Sequence, residues 1–256
     1  MIELFRPADL PRAREAGALV AGILQALRSR CAVGTNLLDV DRWTQAMITE
    51  AGAQSCYVDY EPPFGRGPFG HYICTSVNDA VLHGQPHDYT LADGDLLTLD
   101  LAVSRGGIVA DSAISFIVGD AAPAESVALI DATERALHAG IAAARPGARL
   151  GDIGHAIAGV ARPAGFGMLA DHGGHGVGRT MHEAPFVPNR GKRRKGLVLR
   201  PGLVLAIEPM LQRGGRDDYR HDADGWTLRT ADGSRAAHAE HTIAVTADGP
   251  RILTGP

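Results

Sequence analysis

Apolar and polar positions alternate from Leu96 onward, with Leu97, Leu99, Leu101 and Val103 on one side and Thr98, Asp100 and Ala102 on the other. This period of two predicts a half-buried strand, and the strand formers between Ile108 and Val118 predict a second. The intervening Ser-Arg-Gly-Gly reads as a tight hairpin. With Arg105 and Gly106 as a two-residue loop, Asp100 would stand directly opposite Asp111. Like charges placed there, with Cβ atoms about 4.5–5.5 Å apart, repel. Either both aspartates lie on a solvated sheet face or a cation sits between them.

Helical patterns run from about Asp9 to Arg30 and again from about Ala124 to Ala144. Gly34, Leu37, Asp39, Val40 and Gly52 follow the first; Gly147, Leu150, Asp152, Ile153 and Gly165 follow the second, each pair offset by 113 residues. Each copy reads as helix, glycine turn, second helix and closing glycine, with aspartates near the helix starts. The alternative is chance recurrence of small residues in a Gly- and Ala-rich chain. A true repeat predicts one domain over residues 1–256 made of two α+β halves, about 8–121 and 122–256. A site would then lie between the halves.

The 256 residues, 45% of them hydrophobic, suffice for a sizeable core. No apolar run approaches the roughly 18–20 residues that span a bilayer, and the start, MIELFRPADLPRARE, lacks the features of a signal peptide. Cys31, Cys56 and Cys74 show no CxxC spacing, which argues against a disulfide framework or a cysteine zinc site and points to a reducing cytoplasm. A net charge of −4 argues against general nucleic-acid binding. The basic run from Arg190 to Lys195 reads as a solvated loop.

Further candidate ligands lie downstream. GGHGVGRTMHEAP holds His175 and His182, seven apart, a spacing that a glycine-bent loop can close. One apolar strand, in LRPGLVLAIEPML, ends on Glu208, and another, in AHAEHTIAV, begins at Glu240. An acid at such a position either marks the strand's exit into solvent or is buried with a partner. Taken together, four carboxylates and one imidazole would form a nearly neutral cluster with two divalent cations. Oxygen-rich ligation with one nitrogen suits manganese, iron(II) or cobalt and accepts zinc. Paired ions activate water and polarise a substrate oxygen, so hydrolysis is the natural use.

The segments SVNDAVLHGQP, LLTLDLAVSRGGIVADSAISF, GGHGVGRTMHEAP, LRPGLVLAIEPM and AEHTIAVT, in that order, resemble the methionine aminopeptidases, the pita-bread metallopeptidases, from about Ala8 to Thr254. The resemblance implies an α+β pita-bread fold, two pseudo-twofold-related halves around a curved antiparallel sheet with a central dimetal site. It places Asp100, Asp111, His175, Glu208 and Glu240 on the five metal-ligand positions. His83 matches the histidine near the substrate's amino end, and His182 the one that contacts the scissile peptide. Together with Glu208, these form the implied catalytic set. The implied activity removes the N-terminal methionine from peptides and nascent chains by attack of a metal-bridging hydroxide on the first peptide bond. The implied setting is a cytoplasmic monomer, with Arg190 to Lys195 available for contact with ribosomal RNA.

Twenty-six positions separate His182 from Glu208, which leaves no room for the helical insertion of type II enzymes, and the chain begins almost at the first helix. Type I is implied. Two other readings use the same fold. One is an Xaa-Pro or other aminopeptidase, but the longer relatives that cleave Xaa-Pro bonds carry an additional N-terminal domain and usually a histidine where this chain has Arg179; the other is a non-catalytic binding protein, which is expected to have lost ligands. The sequence also departs from the family. Cys74, His83, Met181 and Trp226 fall where type I enzymes line the methionine pocket, but the position of Met181 is commonly aromatic and Leu82 stands where cysteine is frequent. Segment 57–73 is longer than the usual aromatic loop, and is either a pocket wall or a surface loop. Cys74 is either a pocket residue or a small buried hydrophobe.

Overall fold

In a computed structural model, which describes residues 2–62 and 65–255, the chain opens with helices α1 (Leu10–Arg30) and α2 (Leu37–Glu50). Short strands β1 (Gln54–Ser55), β2 (Cys74–Val77) and β3 (Ala80–Leu82) lead into the long hairpin β4 (Leu96–Arg105) and β5 (Ile108–Ile117). A second helix pair, α3 (Ala124–Ala143) and α4 (Leu150–Ala161), precedes β6 (Gly167–Met168), β7 (Gly173–Gly176), β8 (Glu183–Pro188) and β9 (Val204–Ile207). Strands β10 (Met210–Gln212), β11 (Tyr219–His221), β12 (Leu228–Thr230), β13 (Ala236–His238), β14 (Glu240–Thr246) and β15 (Gly249–Ile252) complete it.

Nine strands form one antiparallel sheet in the order β1-β4-β5-β14-β9-β7-β8, with β2 also on β4 and β15 on β14. Two three-stranded sheets, β13-β10-β6 and β11-β12-β3, accompany it. The repeat read from the sequence is a repeat of structure. Gly34 N–H donates to Leu91 O (2.8 Å) and Leu37 N–H to Tyr89 O (3.0 Å); Gly147 N–H donates to Leu199 O (2.9 Å) and Leu150 N–H to Leu197 O (3.1 Å). The donors are offset by 113 residues and the acceptors by 108, so each helix pair is tied to its own half by the same two bonds.

Both helix pairs back one face of the large sheet. Leu97, Leu99, Leu101 and Val103 of β4 pack with Val20, Ile23, Leu24 and Leu27 of α1. Leu205, Ile207, Ile243 and Val245 pack with Leu137 and Ile141 of α3 and Ile153 and Ile157 of α4. Each such side chain, fully buried, contributes about 1.5–3 kcal/mol. The opposite face is covered too: Ala102 and Ala206 lie in a second apolar layer with Tyr57, Phe69, Met181 and Trp226. Strand β4 is therefore buried on both faces rather than half-buried as predicted. The alternation remains because one face meets helices and the other meets a cleft.

The hairpin register also differs from the prediction. Asp100 pairs with Ala113, and Asp111 with Ala102. The turn residues are Gly106 and Gly107, with φ of +57° and +74°. A type I′ turn needs two left-handed residues, which Gly-Gly supplies and an arginine resists because its Cβ crowds the backbone. Moving the turn by one residue shifts each partner by two, so Asp100 and Asp111 become diagonal neighbours and keep a common face. Among the described residues, a Cβ at Gly107 would meet no atom within 4 Å beyond its own chain neighbours, so Gly107→Ala isolates the backbone term. We expect it to lower the unfolding free energy by about 1–2 kcal/mol in urea titration; no change would mean the turn is not type I′.

Candidate metal centre

Five neighbouring strands of the large sheet each bring one of the expected ligands to one face. Asp100 lies on β4, Asp111 on β5, Glu240 opens β14, Glu208 follows β9, and His175 lies on β7. Ala113 pairs with Asp100 on one side and Glu240 on the other. Continuing the His241–Ile207 pairing by one residue sets Glu208 beside Glu240. The small Ala113 side chain leaves room above the middle of this row. Strand β7 reaches β9 through the pairing of Gly176 with Leu205. A Cβ on Gly174 would come within 2.1 Å of Ala206 O, so glycine permits the close approach that delivers His175. Buried Asn189 donates to Glu208 O (2.9 Å) and holds the strand end.

The atoms converge. His175 donates Nδ1–H to Gly176 O (2.9 Å), which leaves the Nε2 lone pair facing the acids. Nε2 lies 3.5 Å from Glu208 Oε1 and 3.9 Å from Asp111 Oδ2. One donor atom each from Asp111, His175 and Glu240 fall within 4.8 Å of one another. Asp111 Oδ1 and Glu240 Oε1 are buried with no hydrogen-bond partner among the described residues. Burial pushes the Asp100 carboxyl up to about 6, although the Tyr57 hydroxyl opposes the rise. Burial raises Asp111, Glu208 and Glu240 well above their ordinary range, and neighbouring carboxylate charge adds to each rise. Burial, with His182 nearby, brings His175 down to about 3. Four crowded acids, two orphaned oxygens and one neutral imidazole form a donor set that fits divalent cations.

A cleft of about 540 Å³ opens on to this cluster among Tyr60, His83, His175, His182, Glu208 and Trp226. The β7–β8 hairpin closes the seven-residue gap between the histidines, whose rings lie 4.3 Å apart. Burial lowers the pKa of His182. His83 adopts φ +55°, an uncommon left-handed backbone for a residue with a side chain, and its ring stands edge-on to Trp226 at 6.2 Å. Burial brings the His83 imidazole down to about 3. Cys74, Met181 and Trp226 are buried in one apolar cluster. Cys74 pairs with Asp100 across β2 and β4, and burial holds its thiol protonated. Arg179 pairs instead with Glu3 (3.3 Å) and Asp9 (3.6 Å), and Lys192 to Lys195 are exposed.

Segment 57–73 forms a wall of the site. Tyr57 donates its hydroxyl to Asp100 Oδ1 (2.7 Å), the Tyr60 hydroxyl lies 2.8 Å from His182 Nδ1, and Phe69 stands edge-on to Trp226 at 5.2 Å. Pro63 and Phe64 of that segment lie outside the described residues. His238 was not anticipated. It is fully buried, neither ring nitrogen has a hydrogen-bond partner among the described residues, and Nε2 lies 3.6 Å from Glu208 Oε2. Its place two residues before Glu240, across the single residue between β13 and β14, was the available signal.

Residues 11–247 match Metallopeptidase family M24. The chain belongs to that family. It is 46% identical over 253 residues to methionine aminopeptidase 1 of Mycobacterium tuberculosis (strain CDC 1551 / Oshkosh), covering 96% of this chain and 92% of the relative. It is 40% identical over 256 residues to the methionine aminopeptidase of Aquifex aeolicus (strain VF5), covering 99% and 98%. The crystal structure of methionine aminopeptidase from Thermotoga maritima matches the fold with a TM-score of 0.94 at 35% identity, over 100% of both chains. The M24 chain thus has the pita-bread fold, and metal dependence is a property of its family. Among the described residues no helix is long and apolar enough to cross a membrane.

These shifted groups set a pH dependence for the metal-free M24 chain. A carboxyl whose pKa is raised by folding stabilises the fold while protonated and loses that contribution as pH rises through its folded value. An imidazole lowered by folding does the reverse: His83, His175 and His238, each at about 3, favour the fold increasingly up to their unfolded value of about 6.5. The two trends oppose each other up to about pH 6.5; beyond it the imidazole contribution is complete and the raised carboxyls set the direction, so stability should fall as they ionise. We expect the melting temperature of chelator-treated protein to drop between pH 6.5 and 8 and manganese to restore it, most at the higher pH. A metal-free protein that gains stability over that interval would contradict the assignment.

Proposed function

We propose that the chain is a type I methionyl aminopeptidase, one catalytic domain of two halves, about 8–121 and 122–256, that removes the N-terminal methionine from peptides and nascent proteins. The observation that carries this reading is the convergence of four buried carboxylates and one imidazole at the floor of a cleft, in a chain similar over nearly its whole length to methionine aminopeptidases. Asp100, Asp111, His175, Glu208 and Glu240 would hold two divalent ions, drawn from manganese, iron(II), cobalt or zinc. When bound, the ions supply positive charge that neutralises the four acids, lower the pKa of water and polarise the scissile carbonyl.

The chain's own residues do the rest. Cys74, Met181 and Trp226, with Tyr57 and Phe69, offer an apolar slot for the methionine side chain. His83 orients the substrate at its amino end. Glu208 carries a proton from the attacking water to the leaving amine. His182 donates a hydrogen bond to the carbonyl oxygen as negative charge develops there. Arg190 to Lys195 would meet ribosomal RNA phosphates as a monomer works in the cytoplasm. An Xaa-Pro peptidase reading loses support because Arg179 is engaged by Glu3 and Asp9.

The test uses metal-loaded protein and short peptides beginning Met-Ala, Ala-Ala or Ala-Pro. Met-Ala peptides should be cleaved and the other two left intact; preferential cleavage of Ala-Pro would overturn the reading. An interaction made mainly in the transition state lowers kcat, so His182→Ala should reduce kcat about a hundredfold with KM nearly unchanged. Trp226→Ala and Met181→Ala should mainly raise KM and blunt the preference for methionine, since pocket contacts contribute only about 1–3 kcal/mol per methylene-sized change. A His182→Ala variant altered only in KM would remove that residue from the chemistry.

A further inference from the structure

The proposed chemistry asks something of His182 that its own ring cannot guarantee. A neutral imidazole carries one proton and can place it on either nitrogen, and only one tautomer presents a donor on the chosen edge. The Nδ1 edge of His182 is engaged: the Tyr60 hydroxyl lies 2.8 Å away. Of the two groups the phenol is the better donor and the imidazole nitrogen the better acceptor, because phenol ionises near pH 10 whereas imidazole binds a proton near pH 6.5. Tyr60 therefore donates its O–H to Nδ1, and the single ring proton must reside on Nε2.

Tyr60 is itself held in place. Its ring packs against that of His182 at 5.4 Å and that of Trp226 at 6.4 Å. Its backbone N–H donates to Tyr57 O (2.8 Å) and its carbonyl accepts from Phe69 N–H (3.0 Å), so both ends of the unusual segment converge on it. Tyr57 in turn is anchored on Asp100. A surface loop would have no reason to tie two tyrosine hydroxyls to the functional face.

We propose that Tyr60 is a positioning residue for the reaction: by donating to His182 Nδ1 it fixes the Nε2–H tautomer and the ring orientation that presents this proton to the substrate carbonyl. The inference deepens the methionyl aminopeptidase reading and rests on it for the role of His182. The tautomer itself does not depend on activity. In the triad of serine hydrolases an acceptor on Nδ1 holds the opposite tautomer, so the partner on that nitrogen decides which edge donates.

The experiment compares the full chain, Tyr60→Phe and His182→Ala in zinc-loaded, 15N-labelled form. Long-range proton–nitrogen spectra report the protonated nitrogen of each histidine, and His182→Ala identifies the His182 signals by their loss. Wild type should show His182 protonated on Nε2 and bare on Nδ1. Tyr60→Phe, which keeps the ring, should show a mixture of tautomers. The same variant should lose about tenfold in kcat on a Met-Ala peptide with KM within about twofold, the effect of one neutral hydrogen bond. His182 protonated on Nδ1 in wild type, or a Tyr60→Phe variant with unchanged tautomer and kcat, would overturn the proposal. Should His182→Ala leave kcat intact while Tyr60→Phe still shifts the tautomer, the role given to His182 fails, and with it the catalytic part of this inference.

Discussion

Four carboxylates share one buried face of one sheet, and that crowding governs the rest of the structure. At an effective dielectric constant of about 20, two unit charges roughly 5 Å apart repel by about 3 kcal/mol, and neighbouring carboxylate charge acts on Asp111, Glu208 and Glu240. Without counter-charge each acid keeps its proton to a higher pH than an ordinary carboxyl, the direction in which burial shifts Asp100, Asp111, Glu208 and Glu240. Two divalent cations would bring four positive charges to four negative ones. The architecture is what makes this cluster affordable: apolar packing of four helices against the far face offsets the cost of a polar near face.

The order of strands converts distant sequence positions into one site. Antiparallel neighbours β4, β5, β14, β9 and β7 place one donor each at nearly the same height, and β14 joins the two halves of the chain in the middle. At Thr242 the side chain takes over the ladder, its hydroxyl accepting from Asp111 N–H (2.9 Å) and donating to Asp111 O (2.7 Å). Ser112 donates to Glu240 O (2.6 Å) and Ser115 to His238 O (2.7 Å). These hydroxyls satisfy backbone groups where β5 and β14 part, so the sheet can open beside the acidic face without leaving them orphaned.

Much of this was legible in the sequence because the informative residues sit where strand patterns break. An acid at position 208 after an apolar run, or at position 240 before one, is conspicuous against its neighbours, and the helix-turn-helix recurrence at 113 residues announced the two halves. The hairpin register was missed by one turn residue: Ser-Arg-Gly-Gly offers two placements of a two-residue loop, and only the backbone demand for two left-handed residues selects Gly106 and Gly107. The wall formed by segment 57–73 was illegible for a different reason. Its Pro, Gly and aromatic composition has no periodicity, and its place is set by long-range contacts of Tyr57 and Tyr60 with residues 43 and 122 positions away. His238 escaped notice because a histidine carries no pattern of its own.

The central claim is that this acidic face exists to hold two divalent cations. Anomalous scattering from a crystal grown with manganese measures that directly. The account predicts two peaks a few ångströms apart, bounded by Asp111, His175, Glu208 and Glu240, with Asp100 reaching one of them. No peak there, or manganese bound only at surface acids such as Asp218 or Asp232, would contradict it.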